Sequence, residues 1–321
     1  MRDIADTAFA SLNRGYNATF RPNRLSLGLV VPIAQYPNGP VPDMAGHLER
    51  AQLAERLGFA AVWLRDVPFN VPSFGDAGQL FDPFTYLGFL AGQTSHIALG
   101  VASIVLPLRH PAHVAKAAAS ADVLSAGRLI LGVASGDRPE EYPAMNLTSE
   151  DRGVRFRESF DYIRAMSQDW PSLTNGAGQL AGDMDMLPKP LSGRLPMLIT
   201  GSSRQDSDWI ARNGDGWMTY PRPVDAQASV IAQWQARALA ESGAPKPVLQ
   251  PLYIDLSEDP DEAPRPIHLG FRSGVRPLAT YLRQIEKIGV NHVALNLRFN
   301  QAGIEATLEK LAADLLPHFT E

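Results

Sequence analysis

The stretch IALGVASIVLPLRHPAHVAKAAASADVLSAGRLILGVASGD, residues 97–137, holds one complete structural unit. Ile97–Val105 and Leu129–Ala134 are short apolar runs rich in branched side chains, and each predicts a buried strand. Between them Pro111 opens an alanine-rich run that ends at Leu124, with Gly127 just beyond it. Proline suits a first helical turn and glycine a helix stop, so the run reads as a helix. A strand, a helix and a second strand in this order form a parallel pair with a crossover.

The same alternation extends outward in both directions. Strands are expected at Leu25–Val31, Ala60–Arg65, Ile97–Val105, Leu129–Ala134, Met197–Thr200, Gly216–Tyr220, Val248–Leu256 and His292–Leu297. Helices are expected at Met44–Leu57, Pro83–Thr94, Pro111–Leu124, Arg152–Gln168, Arg204–Arg212, Asp225–Glu241, Val275–Lys287 and Gly303–Leu316. Gly58, Gly127, Gly214 and Gly289 each stand where a helix should stop and a strand soon begin. Eight βα pairs without a spare edge strand predict an α/β fold, a closed (β/α)8 TIM barrel. It forms one domain over residues 25–321, preceded by an arm at residues 1–24 that is expected on the surface. Three long connections, Pro68–Asp82, Asp169–Pro196 and Ser257–Gly274, are expected near the catalytic mouth, the last as a mobile lid.

Composition narrows the chemistry. The 321 residues are 45% hydrophobic, enough for a large core, and carry a formal charge of −5. That charge leaves no basic surplus for nucleic acid, so a small-molecule substrate is the expected partner. With no cysteine there is no disulfide, thiolate metal site or cysteine nucleophile. No apolar run is long enough for a membrane span or a signal peptide, which gives the expectation of a cytoplasmic protein with no membrane partner. Dinucleotide, P-loop, zincin and nucleophile-elbow motifs are absent. His110 and His113 have metal-compatible spacing but no third ligand nearby in sequence, so no metal is expected and a helix-start role is the plain alternative.

A barrel places its working groups at the C-terminal strand ends. Those ends hold Arg65 and Asp66, then Ala102 and Ser103, then Ser135, Gly136, Asp137 and Arg138. After the fifth strand come Thr200, Gly201, Ser202, Ser203, Arg204 and Gln205, a glycine and hydroxyls before a helix, as a phosphate site requires. Tyr220 and Arg222 follow the sixth strand. A plain helix cap at Ser202 or Ser203, a turn at Gly136–Asp137 and a rim ion pair at Arg65–Asp66 are the bland readings of the same residues.

Residues 97–137 also resemble the strand-three to strand-four signature of the bacterial-luciferase-like monooxygenases. The matching parts are LGVASIVLPLRHP, the turn from Asp122 to the Gly127–Arg128 pair, and GVASGD. VWLRDVPF, DRPEEYP, LPKP, GDGWMTYPR and KIGVNHVALN follow in the family's order, and the likeness is greatest to an uncharacterised luciferase-type oxidoreductase subgroup. The resemblance implies a flavin-dependent enzyme that binds FMN, or in some branches F420, across the strand ends. Carried over, Ser202, Ser203, Gln205 and Ser135 meet the flavin phosphate, with Gly136, Thr200, Gly201 and Tyr220 bordering the cofactor. Ala102 and Ser103 lie beneath the ring and are joined by a cis peptide. Ser135 replaces an arginine of luciferase, which implies a looser phosphate grip that leans on the following helix terminus. Val67 replaces luciferase's catalytic histidine, which leaves Arg65, Asp66, Asp137 and Arg138 as the catalytic candidates.

The resemblance further implies a homodimer through the second and third barrel helices, and a separate NAD(P)H-dependent flavin reductase as partner. The leading expectation is an FMN-dependent monooxygenase that uses reduced flavin and O2 on a small organic substrate. The alternatives are an F420-dependent hydride-transfer enzyme, a non-catalytic flavin-binding protein, and a barrel lyase or hydrolase acting on a phosphorylated metabolite.

Overall fold

The computed structural model describes residues 8–319. Strands β1 (Ser26–Val30), β2 (Ala61–Leu64), β3 (Ala98–Val105) and β4 (Leu129–Ala134) run parallel in sequence order. A separate antiparallel hairpin, β5 (Ser172–Asn175) and β6 (Gly178–Ala181), comes next in the chain. Strands β7 (Met197–Thr200), β8 (Gly216–Met218) and β9 (Val248–Leu256) continue the parallel series. A second hairpin, β10 (Arg265–Ile267) and β11 (Gly270–Ser273), precedes the last strand, β12 (His292–Asn296). Because β12 pairs with both β9 and β1, the sheet closes into an eight-stranded parallel barrel. The fold is the expected α/β barrel.

Ten helices stand among the described residues: α1 (Arg14–Thr19), α2 (His47–Leu57), α3 (Pro83–Gln93), α4 (Pro111–Leu124), α5 (Glu141–Ala144), α6 (Arg152–Ala165), α7 (Ser207–Asn213), α8 (Val224–Ser242), α9 (Val275–Lys287) and α10 (Ile304–Asp314). Both α4 and α9 match their expected limits. Their starts are set by Pro111 and by Gly274, and their stops by Gly127 and Gly289, which both have left-handed φ.

The barrel interior is filled by side chains rather than open. Trp63 lies across it, fully buried, and donates from Nε1 to His292 Nε2 at 2.8 Å. His292 Nδ1 meets Ser26 Oγ at 2.6 Å, and that hydroxyl donates to the Thr19 carbonyl at 2.7 Å. The indole leaves no room on the neighbouring strand, where a Cβ at position 100 would fall inside the Trp63 ring. Arg128 has no ion-pair partner among the described residues, yet it is buried, donating to Ser125, Ile97, Ala91 and Thr94 carbonyls and to Thr94 Oγ1 at 2.7–3.0 Å. It ties the end of α3 to the start of β3.

Three departures from expectation concern the connections. Residues 1–7 of the arm lie outside the described residues, and residues 13–20 are not a surface arm. Tyr16 and Phe20 are buried beneath the barrel, Tyr16 Oη donates to the Asp215 carbonyl at 2.7 Å, and Asn13 caps α1 while donating to Asp122. The segment Ser257–Gly274 is a hairpin, not a free lid: β11 adds in parallel to the outer half of β9, and Arg272 pairs with Asp255 at 2.8 Å. The helix expected from Arg204 begins only at Ser207, because Gly201, Ser203 and Arg204 all have left-handed φ and break the turn.

Candidate active site

The C-terminal strand ends open into a cavity of about 700 Å³ at the barrel mouth. It is continuous with a compartment of about 330 Å³, since Arg65, Phe74, Ala102, Ser103, Thr200 and Tyr220 line both. This second compartment runs into a groove of about 980 Å³ through the shared residues Gly136, Asp137, Arg138 and Arg204. The result is one elongated cleft that leads from the barrel axis, past the ends of β3, β4 and β7, to the start of α6.

Ala102 and Ser103 form the floor between the first two compartments, and the peptide between them is cis, as the resemblance implied. Ser103 Oγ shares a hydrogen bond with Thr200 Oγ1 across β3 and β7. Ser135 and Gly136 line the second compartment, where Ser135 offers its carbonyl to the hydroxyl of Tyr142. Tyr220 is half exposed on the opposite wall, its hydroxyl pushed above the ordinary value by burial and by Asp137. Arg222 instead turns back to Thr219 Oγ1 and Gln227 Oε1, at 2.8 and 3.1 Å.

The loop after β7 carries the polar end of the cleft. Ser203 Oγ is spent on the Thr200 carbonyl at 2.8 Å, and Gln205 Nε2 on the Gly153 carbonyl at 2.7 Å. The amides of Ser202 and Ser203 have no hydrogen-bond partner among the described residues. Left-handed φ at Gly201, Ser203 and Arg204 bends this stretch of backbone, the kind of turn in which successive amides can meet an anion. The helix terminus does not contribute as expected: α7 is capped by Asp206, whose carboxylate takes the Trp209 amide at 2.7 Å. Cationic side chains stand there instead. Arg152, Arg157 and Arg204 line the groove, and Arg157 Nε donates to Gln205 Oε1 at 2.9 Å. Gly153 lets this loop approach α6, since a Cβ there would lie 2.8 Å from Arg204 Cβ. Reasoning from strand ends missed Arg152 and Arg157, which come from a helix start, and left Arg204 without a role.

The four catalytic candidates divide. Asp66 lines the compartment, but its two oxygens hold Arg109 at 2.7 and 2.9 Å and the Val105 amide at 3.1 Å. It fastens the start of α4 to β2 and β3, which is a positioning task. Asp137 is exposed in the cleft wall. Arg65 and Arg138 are turned toward a residue that strand-end reasoning did not single out, Asp76 in the long loop after β2. Arg65 Nη1 reaches Asp76 Oδ2 at 2.6 Å, Arg298 Nη1 reaches the same oxygen at 3.2 Å, and Arg138 Nη2 donates to the Asp76 carbonyl at 2.9 Å. Burial opposes the Asp76 carboxylate, yet Arg65, the Gly78 amide and Arg298 outweigh it and hold its pKa below the ordinary carboxylate value. Arg298 lies two residues past β12, so the strand-end rule extended to the eighth strand would have found it. Val67 lines the same compartment and brings no proton-transfer group. At the start of α4, His110 Nδ1 accepts the Ala112 amide at 3.2 Å, a helix cap.

A closed parallel barrel whose cleft lies wholly at the C-terminal strand ends defines a barrel enzyme of the α/β class. The chain belongs to the luciferase-like monooxygenase family, whose sequence model matches residues 25–314. This is a family of flavin-dependent monooxygenases and oxidoreductases that work with flavin or with F420. Among its relatives is an uncharacterised protein of Mycobacterium tuberculosis, 30% identical over 237 residues that cover 68% of this chain and 82% of that protein. The F420-dependent hydroxymycolic acid dehydrogenase of the same organism is 29% identical, covering 61% of this chain and 54% of its own. The oxygenase component of the flavin-dependent trigonelline monooxygenase of Acinetobacter baylyi is 31% identical, covering 47% and 39%. The monooxygenase RslO1 of Streptomyces bottropensis shares the fold with a TM-score of 0.75 at 18% identity, over 92% of this chain and all of that one. No helix among the described residues is long and apolar enough to cross a membrane.

Proposed function

We propose that the chain is the oxygenase of a two-component system, receiving reduced FMN from a separate NAD(P)H-dependent flavin reductase and using it with O2 on a small organic substrate. The observation that carries this reading is the continuity of the cleft, from a floor of small side chains to a polar loop flanked by arginines. Bound FMN supplies the redox and oxygen chemistry; the chain binds it, orients it and keeps water out. In this reading Ala102 and Ser103 allow close approach of a flat ring, while Met218, Leu249 and Phe74 shield it. Ser135, Gly136, Thr200 and Gly201 border the linker toward the phosphate. The phosphate rests on the amides of Ser202 and Ser203 and on Arg152, Arg157 and Arg204, with Gln205 fixing the loop. These arginines offset the loss implied by Ser135. The relative named as an oxygenase component supports the need for a reductase.

The test compares FMN with riboflavin. FMN binds about tenfold or more tightly, a difference of about 1.4 kcal/mol, and Arg157→Gln with Arg204→Gln narrows the gap. Equal affinity for the two, or no O2 consumption above background with reduced FMN and any of a panel of small organic substrates, would sink the proposal. A second reading replaces FMN with F420. It is favoured by the groove of about 980 Å³ that continues past the phosphate loop, and by the F420-dependent relative. Parallel titrations with the two cofactors decide between them. We further propose a homodimer through α3 and α4, which present exposed Phe89 and Leu124, with sedimentation as the check.

A further inference from the structure

Three guanidinium groups converge on one residue, Asp76, at the barrel mouth. Arg65 and Arg298 meet Asp76 Oδ2, and Arg138 meets the Asp76 backbone carbonyl. The other carboxylate oxygen is occupied by the Gly78 amide at 2.8 Å and the Tyr36 hydroxyl at 3.3 Å. Three positive charges therefore face one negative charge in a largely buried cluster. Nearby acids make up only part of the difference: Asp66 belongs to Arg109, and Asp137 and Glu141 act on Arg138, which leaves Arg65 and Arg298 sharing the Asp76 carboxylate. Arg138 Nη1 and Arg298 Nε are buried with no hydrogen-bond partner. Buried charge without compensation is costly, and an anion in the adjoining cavity would relieve it.

That cavity has the matching shape and chemistry. Arg65 spends one nitrogen on Asp76, and its Nε and Nη2 donate to nothing else among the described residues, although it lines both mouth compartments. A guanidinium edge left open in this way is the planar fork that grips carboxylates and sulfonates. Opposite it, Phe74, Tyr253, Leu269 and Phe299 supply an apolar and aromatic wall. In the reading above the cofactor phosphate lies at the far end of the cleft beside Arg152, Arg157 and Arg204, so the mouth arginines are not needed for it.

We propose that the barrel mouth takes a small organic anion, a carboxylate or sulfonate on an aromatic or apolar body. Arg65 grips the anionic group through its open edge, Arg298, held by the Gly39 and Gly75 carbonyls, adds positive charge behind it, Asp76 is the positioning residue that aims both, and Phe74, Tyr253 and Phe299 pack against the body. The proposal names the substrate class for the flavin reading above and rests on the mouth being its substrate site. The experiment measures benzoate and its neutral analogue benzamide by calorimetry on the full chain, with and without FMN. Benzoate binds about tenfold more tightly than benzamide, the preference falls with added salt, and Arg65→Gln or Arg298→Gln abolishes it. Because the unmodified protein makes the central comparison, a variant that fails to fold leaves the test intact. Equal affinities, or no benzoate binding at millimolar concentration, overturn the proposal. So does an Arg65→Gln protein that loses FMN affinity but keeps the benzoate preference, since the charge then serves the cofactor. If FMN fails to bind while the benzoate preference holds, the anion site stands and the flavin reading falls.

Discussion

Asp76→Asn is the substitution that tests the mouth cluster most directly, because it removes one charge while keeping the shape. In the native protein Oδ2 accepts from Arg65 at 2.6 Å and from Arg298 at 3.2 Å, and Oδ1 accepts the Gly78 amide at 2.8 Å. An asparagine oxygen can keep the Gly78 amide, but its amino group then faces the two guanidiniums. A hydrogen bond to a charged group contributes about 1.5–3 kcal/mol, and removing one partner of a buried pair costs about 3–5 kcal/mol. The expected loss is therefore about 3–5 kcal/mol, a large share of a total stability of about 5–15 kcal/mol. Urea unfolding at neutral pH should show a lower midpoint with an unchanged slope. The carboxylate is held below its ordinary 3.8, so acid removes its contribution only as the pH falls below that value. Benzoate should restore part of the lost stability by supplying the missing negative charge. A loss under about 1 kcal/mol would refute the reasoning, because it would mean that Arg65 and Arg298 do not depend on the Asp76 carboxylate.

Other expectations follow from the barrel interior and the cleft. Burial depresses His292 to about 3 from its ordinary 6.5, so between these pH values the unfolded chain binds the extra proton. Stability should fall as the pH drops from 6.5 toward 3, by at most roughly 4–5 kcal/mol, and His292→Asn should flatten that part of the stability–pH curve. Glu141 works in the opposite sense: burial raises it from 4.5 to about 7, so its contribution is present at low pH and is lost as the pH rises through 7. Glu141→Gln should remove that decline, and identical profiles for variant and parent would count against it. Gly100→Ala should destabilise by about 1–3 kcal/mol in thermal unfolding, since its Cβ enters space held by Trp63.

The parts of this protein that were legible in advance are those governed by local periodicity. Strands β4, β7 and β9 match their expected limits because their apolar runs are bounded on both sides by turn residues. The start of α7 departs from expectation because Ser203 and Arg204 adopt left-handed φ, which their own side chains do not demand. Asp206 carried the true cap signal, a carboxylate three residues before Trp209. The hairpin β5–β6 turns through Gly176 and Ala177, and its sign in the sequence is Asn175 at the first turn position, whose Oδ1 accepts the Ala177 amide at 2.9 Å. The packing of Tyr16 and Phe20 had no such sign, because a six-residue helix shows too little periodicity to reveal a buried face.

The same division runs through the site, and it decides which part of the function the sequence carries. Ala102, Ser103, Ser135, Gly136 and Thr200 sit at strand ends, so once the strands are known their convergence follows from barrel geometry alone. They form the bed on which a family cofactor is expected to lie. Asp76, Arg152 and Arg157 come from a loop and a helix start, and they reach the cleft through contacts between residues far apart in the chain. Arg298 needs Asp76 to acquire its meaning, and the two are more than two hundred residues apart. The generic half of the activity is therefore written in short periodic segments. The half that we propose sets the choice of substrate rests on charges that only the closed barrel brings together, Arg65, Arg298 and Asp76 at the mouth.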